Sequence, residues 1–507
     1  MLSNTTHHEF MSQVGSHRVI PVIRELFAEG ETPVGIYRKL AAGRPGTFLL
    51  ESADQGAVWA RYSFVGISSF GALSHEAGRP VWQDYGLSQE RAFGGPLPES
   101  GLSALEQLHA RWATERVPGH PPLTGGLVGF IGWEAIRELE HLPNAPAAEF
   151  SLPMQTMNFV SELAVVDHRT GSVLLVVAAL TDDSGSDGDE LWSTAQQQLD
   201  ALQTRLAQPS EAWLAEIDRD ALPEPAPRVS AEQFFDSVSL SREYIRSGDV
   251  FQVVISQRFD HEVTAEPLDV YRVLRTLNPS PYMYLLSNVS PSGEPFWVVG
   301  SSPEALVKVE RGHVTTHPIA GSRPRGAGAE ADQALAESLL ADPKERAEHL
   351  MLVDLSRNDL QKVCLPGSVA VTEFMTIERF SHIMHLVSTV EGSLDPERSP
   401  LDVFRAAFPA GTLSGAPKPR ALQIIDELEP AQRGLYGGVV GYFDFAGDLD
   451  LAIAIRTTTI ANGVARVQAG AGLVADSDPE TEFAECHAKA AAPLRAIAIA
   501  NAMNRVE

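Results

Sequence analysis

Asn462-Gly463 stands between two β-branched runs. Asn and Gly both tolerate the positive φ of a tight two-residue turn, so the pair is the strongest short-range hairpin signal. It predicts a hairpin over Ile455 to Leu473. A second, over Val439 to Ile455, turns at Ala446-Gly447, and a third, over Leu306 to Thr316, turns at Arg311-Gly312. Hairpins in succession commit this part of the chain to antiparallel sheet. Further strands are expected over Val250–Phe259, Tyr282–Leu286 and Phe296–Val299. In the first half, Phe48–Leu50 and Trp59–Gly66 read as strands, and Glu162–Leu180 as a hairpin around Asp167–Gly171. Helical periodicity marks Leu191–Leu206, Ala231–Ser247 and Leu268–Leu277. The expected class is α+β, with large antiparallel sheets packed together and helices on their outer faces.

Pro223-Glu224-Pro225-Ala226-Pro227 is a stiff linker, which places a boundary near residue 225 and regions at 20–225 and 226–507. The acidic stretch Thr181–Glu190 has no periodicity and reads as a solvated loop. With 507 residues, 44% of them apolar, the chain buries a large core without disulfides. Its 39 basic and 66 acidic residues leave a net charge of −27, which excludes a general attraction to nucleic acid or anionic membrane. Cys364 and Cys486 form neither a disulfide framework nor a zinc motif. The N-terminus has no signal-peptide pattern, and the longest aliphatic run, Val173–Leu180, is too short to span a bilayer. A cytoplasmic protein is expected.

Two acidic pairs could carry chemistry. Glu345 and Glu348 follow Asp342-Pro343, and Glu482 and Glu485 follow Asp478-Pro479. Asp-Pro opens a helix, and an i, i+3 spacing puts each pair on one face. Two such helices facing each other would make an oxygen-rich site of the kind Mg²⁺ takes. The alternative is that the acids complement helix dipoles, with Glu345 closing a capping box on Asp342. Glycine-flanked polar segments occupy the same half: Gly300–Glu304, Pro318–Gly326 and Pro409–Lys418. Glycine beside hydroxyl groups lets backbone N–H groups approach a carboxylate, although any one segment could be an ordinary turn. Gly470–Ala475 matches a dinucleotide fingerprint, but Asp476–Pro479 separates it from the next helix, and no acidic residue follows at the required distance.

Taken together, Phe251–Val254, Ser302–Glu304, Pro318–Gly326, Glu348–Asp359, Met384–Ser388, Pro409–Lys418, Tyr436–Gly438 and Glu485–Lys489 resemble the chorismate-utilising enzymes, above all the large subunits of anthranilate synthases. The resemblance is dense from about 231 to 500. It is thinner from 45 to 180, where Leu49–Ser52 and Arg61–Ser63 carry it.

The resemblance implies Mg²⁺-dependent conversion of chorismate and ammonia to anthranilate and pyruvate, the first step of tryptophan synthesis. Glu348 and Glu485 would hold Mg²⁺, supported by Glu345 and Glu482. Glu304 would protonate the leaving hydroxyl, kept protonated by acidic neighbours. His385 would serve the elimination. Tyr436 and Arg456, the latter expected within a strand over Leu451–Thr459, would hold the enolpyruvyl carboxylate. Lys489 would lie near the ring carboxylate, and Gly321, Ser322, Thr412 and Gly472 would complete the cradle. Ammonia would come from a separate glutamine amidotransferase subunit. Glu51, Ser52, Pro281, Tyr282 and Met283 would bind L-tryptophan as a feedback inhibitor. The alternatives are an aminodeoxychorismate synthase and a non-catalytic tryptophan-sensing relative. The first typically carries Lys where this chain has Ala320, and isochorismate-forming relatives place a Lys near Gln252, whose amide cannot act as that base. Both departures favour ammonia as nucleophile.

Overall fold

The computed structural model describes residues 4–52, 61–149, 152–181, 187–210, 213–379 and 383–505. Trp59 and Ala60, and residues 182–186 of the acidic stretch, lie outside them.

The first part of the chain supplies β1 (Val19–Phe27), β2 (Thr47–Glu51), β3 (Tyr62–Glu76), β4 (Arg79–Asp84), β5 (Gly126–Ile131), β6 (Gln155–Asp167) and β7 (Ser172–Leu180). The second supplies β8 (Gln252–Glu262), β9 (Tyr282–Val289), β10 (Pro295–Ser302), β11 (Ala305–Glu310), β12 (His313–Thr316), β13 (Ile319–Pro324), β14 (Ala370–Arg379) and β15 (Ile383–Ser393). It ends with β16 (Val439–Asp444), β17 (Leu449–Ile453), β18 (Thr457–Ala461) and β19 (Val464–Leu473).

Antiparallel pairing links these strands into two sheets. One runs β1-β7-β6-β3-β2-β9-β10-β18-β19-β8. The other starts from the opposite ends of β3 and β6 and runs through β5, β16, β17, β11 and β12 to β15, which β13 and β14 flank. The long strands β3 and β6 serve both. Register shifts between Gly66 and Gly71 bend β3 from one sheet into the other, as bulges do at sheet corners. Side chains have no room at that bend: a Cβ on Gly66 would stand 2.1 Å from the Phe48 ring. Sheets run through the boundary near 225, for β2 pairs with β9 and β5 with β16.

The predicted hairpins form. Arg311-Gly312 and Asn462-Gly463 both have positive φ at each position, as the tight turn requires. The hairpin expected to begin at Glu162 begins earlier, because β6 extends back to Gln155.

Helices cover the outer faces. On the second sheet lie α1 (Gly101–Trp112) and, later in the chain, Pro400–Ala407; on the first lie α2 (Gly188–Leu206), α4 (Pro267–Leu277), Lys418–Leu428 beside β8, and the last helix. The second part of the chain also forms α3 (Ala231–Ser247), α5 (Ala329–Ala341), α6 (Pro343–Gln361), α7 (Pro400–Ala407), α8 (Lys418–Leu428) and α9 (Pro479–Asn501). Phe64, Phe130, Leu286, Phe296 and Tyr442, drawn from both sheets, fill the layer between them. Each such side chain contributes about 1.5–3 kcal/mol by leaving water. Among the described residues, no helix is long and apolar enough to cross a membrane.

Candidate functional site

The two acidic pairs sit where the sequence predicts, in the first two turns of α6 and α9. Asp342 caps α6 by accepting from the N–H groups of Lys344 (2.9 Å) and Glu345 (3.3 Å), and Asp478 caps α9 by accepting from Thr481 N–H (3.0 Å). The capping box given as the alternative for Glu345 does not form, because Arg323 takes its carboxylate at 3.2 Å. The two helix starts face each other electrostatically. Burial pushes the Glu348 carboxyl up, and the charges of Glu345 and of Glu485 across the gap add to it. Burial also raises Glu482, and Glu485 adds to that.

The carboxylates do not close into a cage: among the described residues, no three acidic, His or Cys side chains converge as an ion site. Glu485 instead pairs with Lys489 at 2.6 Å, and Glu348 accepts from Gln252 Nε2 at 3.3 Å. Gln252 Oε1 is buried without a partner. Under-compensated carboxylates beside an orphaned amide oxygen are a donor set that fits a hard cation such as Mg²⁺.

Glu304 lies between β10 and β11. Burial pushes its carboxyl up to about 7, while the Thr412 hydroxyl, which donates to Oε1 at 3.2 Å, and the charge of Lys489 pull it back. The expected cause, acidic neighbours, is therefore wrong: desolvation alone raises it. His385, on β15, sits opposite Ser322 of β13. Its Nδ1 donates to the Gly321 carbonyl at 3.1 Å, and burial holds its pKa below the usual value, with Arg456 and Lys489 adding to that. A neutral imidazole fixed by one nitrogen is equipped to accept a proton on the other. Gly321 interrupts the β13–β15 register with φ +69°, and a Cβ there would stand 2.8 Å from Glu345 Oε2.

Arg456 corrects the predicted strand. It falls between β17 and β18 with φ +52°, at the corner where the chain passes from one sheet to the other. Its guanidinium donates to the Lys489 carbonyl at 2.8 Å; burial lowers its pKa, and the nearby Glu485 carboxylate opposes that. Lys489 Nζ also donates to the Gly470 carbonyl at 3.0 Å. Tyr436 is buried, and its hydroxyl is 2.7 Å from where a Cβ on Gly470 would be. Gly470 and Gly472 lie inside β19, paired with β8, so the fingerprint-like run is strand and not a phosphate loop. A Cβ on Gly472 would meet Gln252 Nε2 at 2.6 Å. Glu304, His385, Arg456, Tyr436, Lys489 and both acidic pairs thus share one electrostatic neighbourhood, between the sheets' edges and the starts of α6 and α9.

The residues expected to bind tryptophan are elsewhere. Glu51, Ser52, Pro281, Tyr282 and Met283 all line a cavity of about 450 Å³, which Phe64 and Tyr442 of the inter-sheet layer also border. Ser52 Oγ is buried there without a partner, and the Tyr282 hydroxyl donates to Asp450 at 3.0 Å. The Glu51 carboxylate is already engaged, by the Tyr271 hydroxyl and by Arg275 at 3.3 Å, both on α4.

Sequence reasoning missed Arg433 and Glu429, a buried pair beneath the site. The available signal was a Glu and an Arg four residues apart, leading into the glycine-rich segment of Tyr436.

The chorismate binding enzyme family matches residues 76–495. Anthranilate synthase component 1 of Arthrobacter globiformis is 51% identical over 98% of this chain and 94% of its own length. That of Mycobacterium tuberculosis is 47% identical over 99% and 97%. Among solved structures, anthranilate synthase component I of Streptococcus pneumoniae superposes with a TM-score of 0.72 at 34% identity, over 93% of this chain and 99% of that one. The menaquinone-specific isochorismate synthase of Escherichia coli shares the fold, with a TM-score of 0.68 at 18% identity over 97% and 98%.

Proposed function

The chain belongs to the chorismate-binding enzymes, in the component I branch of the anthranilate synthases that turns chorismate into anthranilate, and from that premise we propose how its residues divide the work. Glu304 gives its proton to the departing C4 hydroxyl while ammonia adds at C2. A carboxyl held at about 7 is half protonated near neutral pH, which suits an acid that must both give and regain a proton. Thr412 orients that carboxyl through its hydrogen bond. His385 takes the C2 proton in the elimination that releases pyruvate. Arg456 and Tyr436 hold the enolpyruvyl carboxylate, for which a guanidinium is the natural partner. Lys489 lies toward the ring carboxylate, in the cradle of Gly321, Ser322 and Gly472.

Glu348 and Glu485 would hold Mg²⁺, with Glu345 and Glu482 behind them. When bound, the ion neutralises the ring carboxylate and stabilises charge that develops on the ring. Arg323 pairs with Glu345 and Lys489 with Glu485, and the second pair would have to open for Glu485 to serve as a ligand. A glutamine amidotransferase component supplies ammonia in the cytoplasm, and L-tryptophan inhibits from the inter-sheet cavity.

The observation that carries this reading is the buried, raised carboxyl of Glu304 in a site that also holds His385, Arg456 and Lys489. The test is anthranilate fluorescence from the purified chain with chorismate, Mg²⁺ and ammonium. Glu348→Gln or Glu485→Gln should abolish the signal with circular dichroism unchanged, because a neutral amide is a poor metal ligand. Near-parent turnover of either variant at moderate Mg²⁺ would overturn the metal assignment.

A further inference from the structure

Beneath the substrate cradle lies a buried ion pair that none of the steps above uses. Arg433 is 3% exposed and Glu429, four residues before it and just past the end of α8, 5%. Arg433 Nε donates to Glu429 Oε2 at 2.8 Å and one terminal nitrogen to Oε1 at 2.7 Å. Glu429 Oε1 also accepts from the Ser256 N–H and hydroxyl, at 2.8 and 2.7 Å. Only one side of the guanidinium is needed to neutralise that carboxylate. The remaining N–H groups reach two carbonyls on separate elements: Leu413, in the turn after α7, and Val254 on β8, each at 2.8 Å. The cation is stacked 4.3 Å from the Trp133 ring centroid and 5.5 Å from that of Tyr436. Its own backbone N–H donates to Glu134 at 3.0 Å.

Each of these contacts adjoins a part of the site. Leu413 follows Thr412, whose hydroxyl bonds Glu304. Val254 stands opposite Gly472 in the β8–β19 ladder. Tyr436 is itself expected to touch substrate. We infer that Arg433 is a positioning residue: its planar fork holds the Thr412 turn, strand β8 and Tyr436 in one arrangement, and through Thr412 it controls how Glu304 presents its proton. Packing and charge balance alone would not require an arginine, because lysine satisfies Glu429 equally well. Lysine, however, carries a single point of attachment and cannot also reach both carbonyls in fixed directions.

Arg433→Lys in the full chain, assayed with chorismate and ammonium, tests this inference, which rests on Glu304 being the acid. kcat/KM is expected to fall about 100-fold, the scale of an ångström-sized misplacement of reacting groups. The diagnostic readout is the alkaline limb of the pH profile. The Thr412 hydroxyl holds the Glu304 carboxyl down, so loosening that turn should move the limb to higher pH. Of the other charged or titratable groups around Glu304, Lys489 on α9 acts on it directly, His317 and Asp359 line the same small cavity, and His385, Arg456, Tyr436 and the two acidic pairs share the wider neighbourhood; none of them is changed. Glu429→Gln retains both carbonyl contacts and should keep the parental limb while melting earlier. A folded Arg433→Lys with parental kcat/KM and limb would overturn the inference, as would an equal shift of the limb in Glu429→Gln, which would reveal general loosening of the core. If Arg433→Lys fails to fold, the double variant Arg433→Gln/Glu429→Gln removes both buried charges together and carries the same expectation. Glu304→Gln separates the two levels. If it retains activity and the limb, the reading of Glu304 fails. If it loses both while Arg433→Lys leaves the limb in place, only the role of Arg433 fails.

Discussion

Glu304 is where burial becomes chemistry. An exposed glutamate is ionised at neutral pH and has no proton to give, whereas this one is held at about 7 by desolvation. Glu304→Gln should lower kcat about 10²–10⁴-fold, the usual contribution of a general acid. The same shift has a cost in stability. A carboxyl whose folded pKa is raised stabilises the protein fully below its ordinary value of 4.5, and that contribution is lost as pH rises through about 7. The melting temperature of the parent should therefore fall relative to Glu304→Gln between those two values, and parallel melting curves across that window would contradict the assignment. At His385 the sign is opposite: burial favours the neutral ring, which leaves a base. His385→Ala should slow pyruvate elimination more than amination, so that the aminated intermediate accumulates and is visible by chromatography. Untouched chorismate with no intermediate would show that the histidine acts earlier. The residue types were legible in the sequence. The cause of the Glu304 shift was not, because desolvation depends on residues distant in the chain.

At the scale of elements, two glycines, one in each sheet, separate construction from function. On β16, a Cβ at Gly441 would stand 2.0 Å from the Asp450 carbonyl oxygen, which is backbone of the paired β17 and cannot yield. Gly441→Ala should cost at least the roughly 1–3 kcal/mol of an overpacked core, read as a lower denaturant midpoint. On β19, the obstacle to Gly472→Ala is the end of the Gln252 side chain, which can swing away. That variant should melt near the parent but lose the Gln252–Glu348 hydrogen bond, and so require more Mg²⁺ or chorismate for half-maximal rate. Equal thermal losses in the two variants would refute the distinction. Turn chemistry made the hairpins readable beforehand, since Asn462-Gly463 and Arg311-Gly312 specify their turns locally. Arg456 was misread as strand because its neighbours are β-formers, and only the passage between sheets imposes its left-handed φ.

Across the whole molecule, β3 and β6 belong to both sheets, so the inter-sheet cavity and the catalytic neighbourhood hang on one continuous framework. Strand β17 touches both, with Asp450 at the cavity and Ile453 donating its N–H to the Glu304 carbonyl at 3.0 Å. A ligand that prefers one spacing of the sheets would bias the site through such shared strands. Ser52→Phe should fill the cavity and relieve tryptophan inhibition while leaving the uninhibited kcat within about a few-fold of the parent, since no contact to the reacting atoms is lost. Unchanged tryptophan sensitivity would place the inhibitor elsewhere.

The sequence by itself determined many of the strands, the hairpin turns, the capped helix starts that carry the acidic pairs, and the family. Each of these is written in local spacing, in a turn residue, an N-cap or an ordered run of motifs. Tertiary structure alone decided which partners those groups meet. It gave the Glu51 carboxylate to Tyr271 and Arg275, paired Glu345 with Arg323, desolvated Glu304 and laid Arg433 under Tyr436. Those outcomes depend on how side chains from separate elements are brought together, which is set when two sheets and their helices pack and not by any stretch of the chain alone.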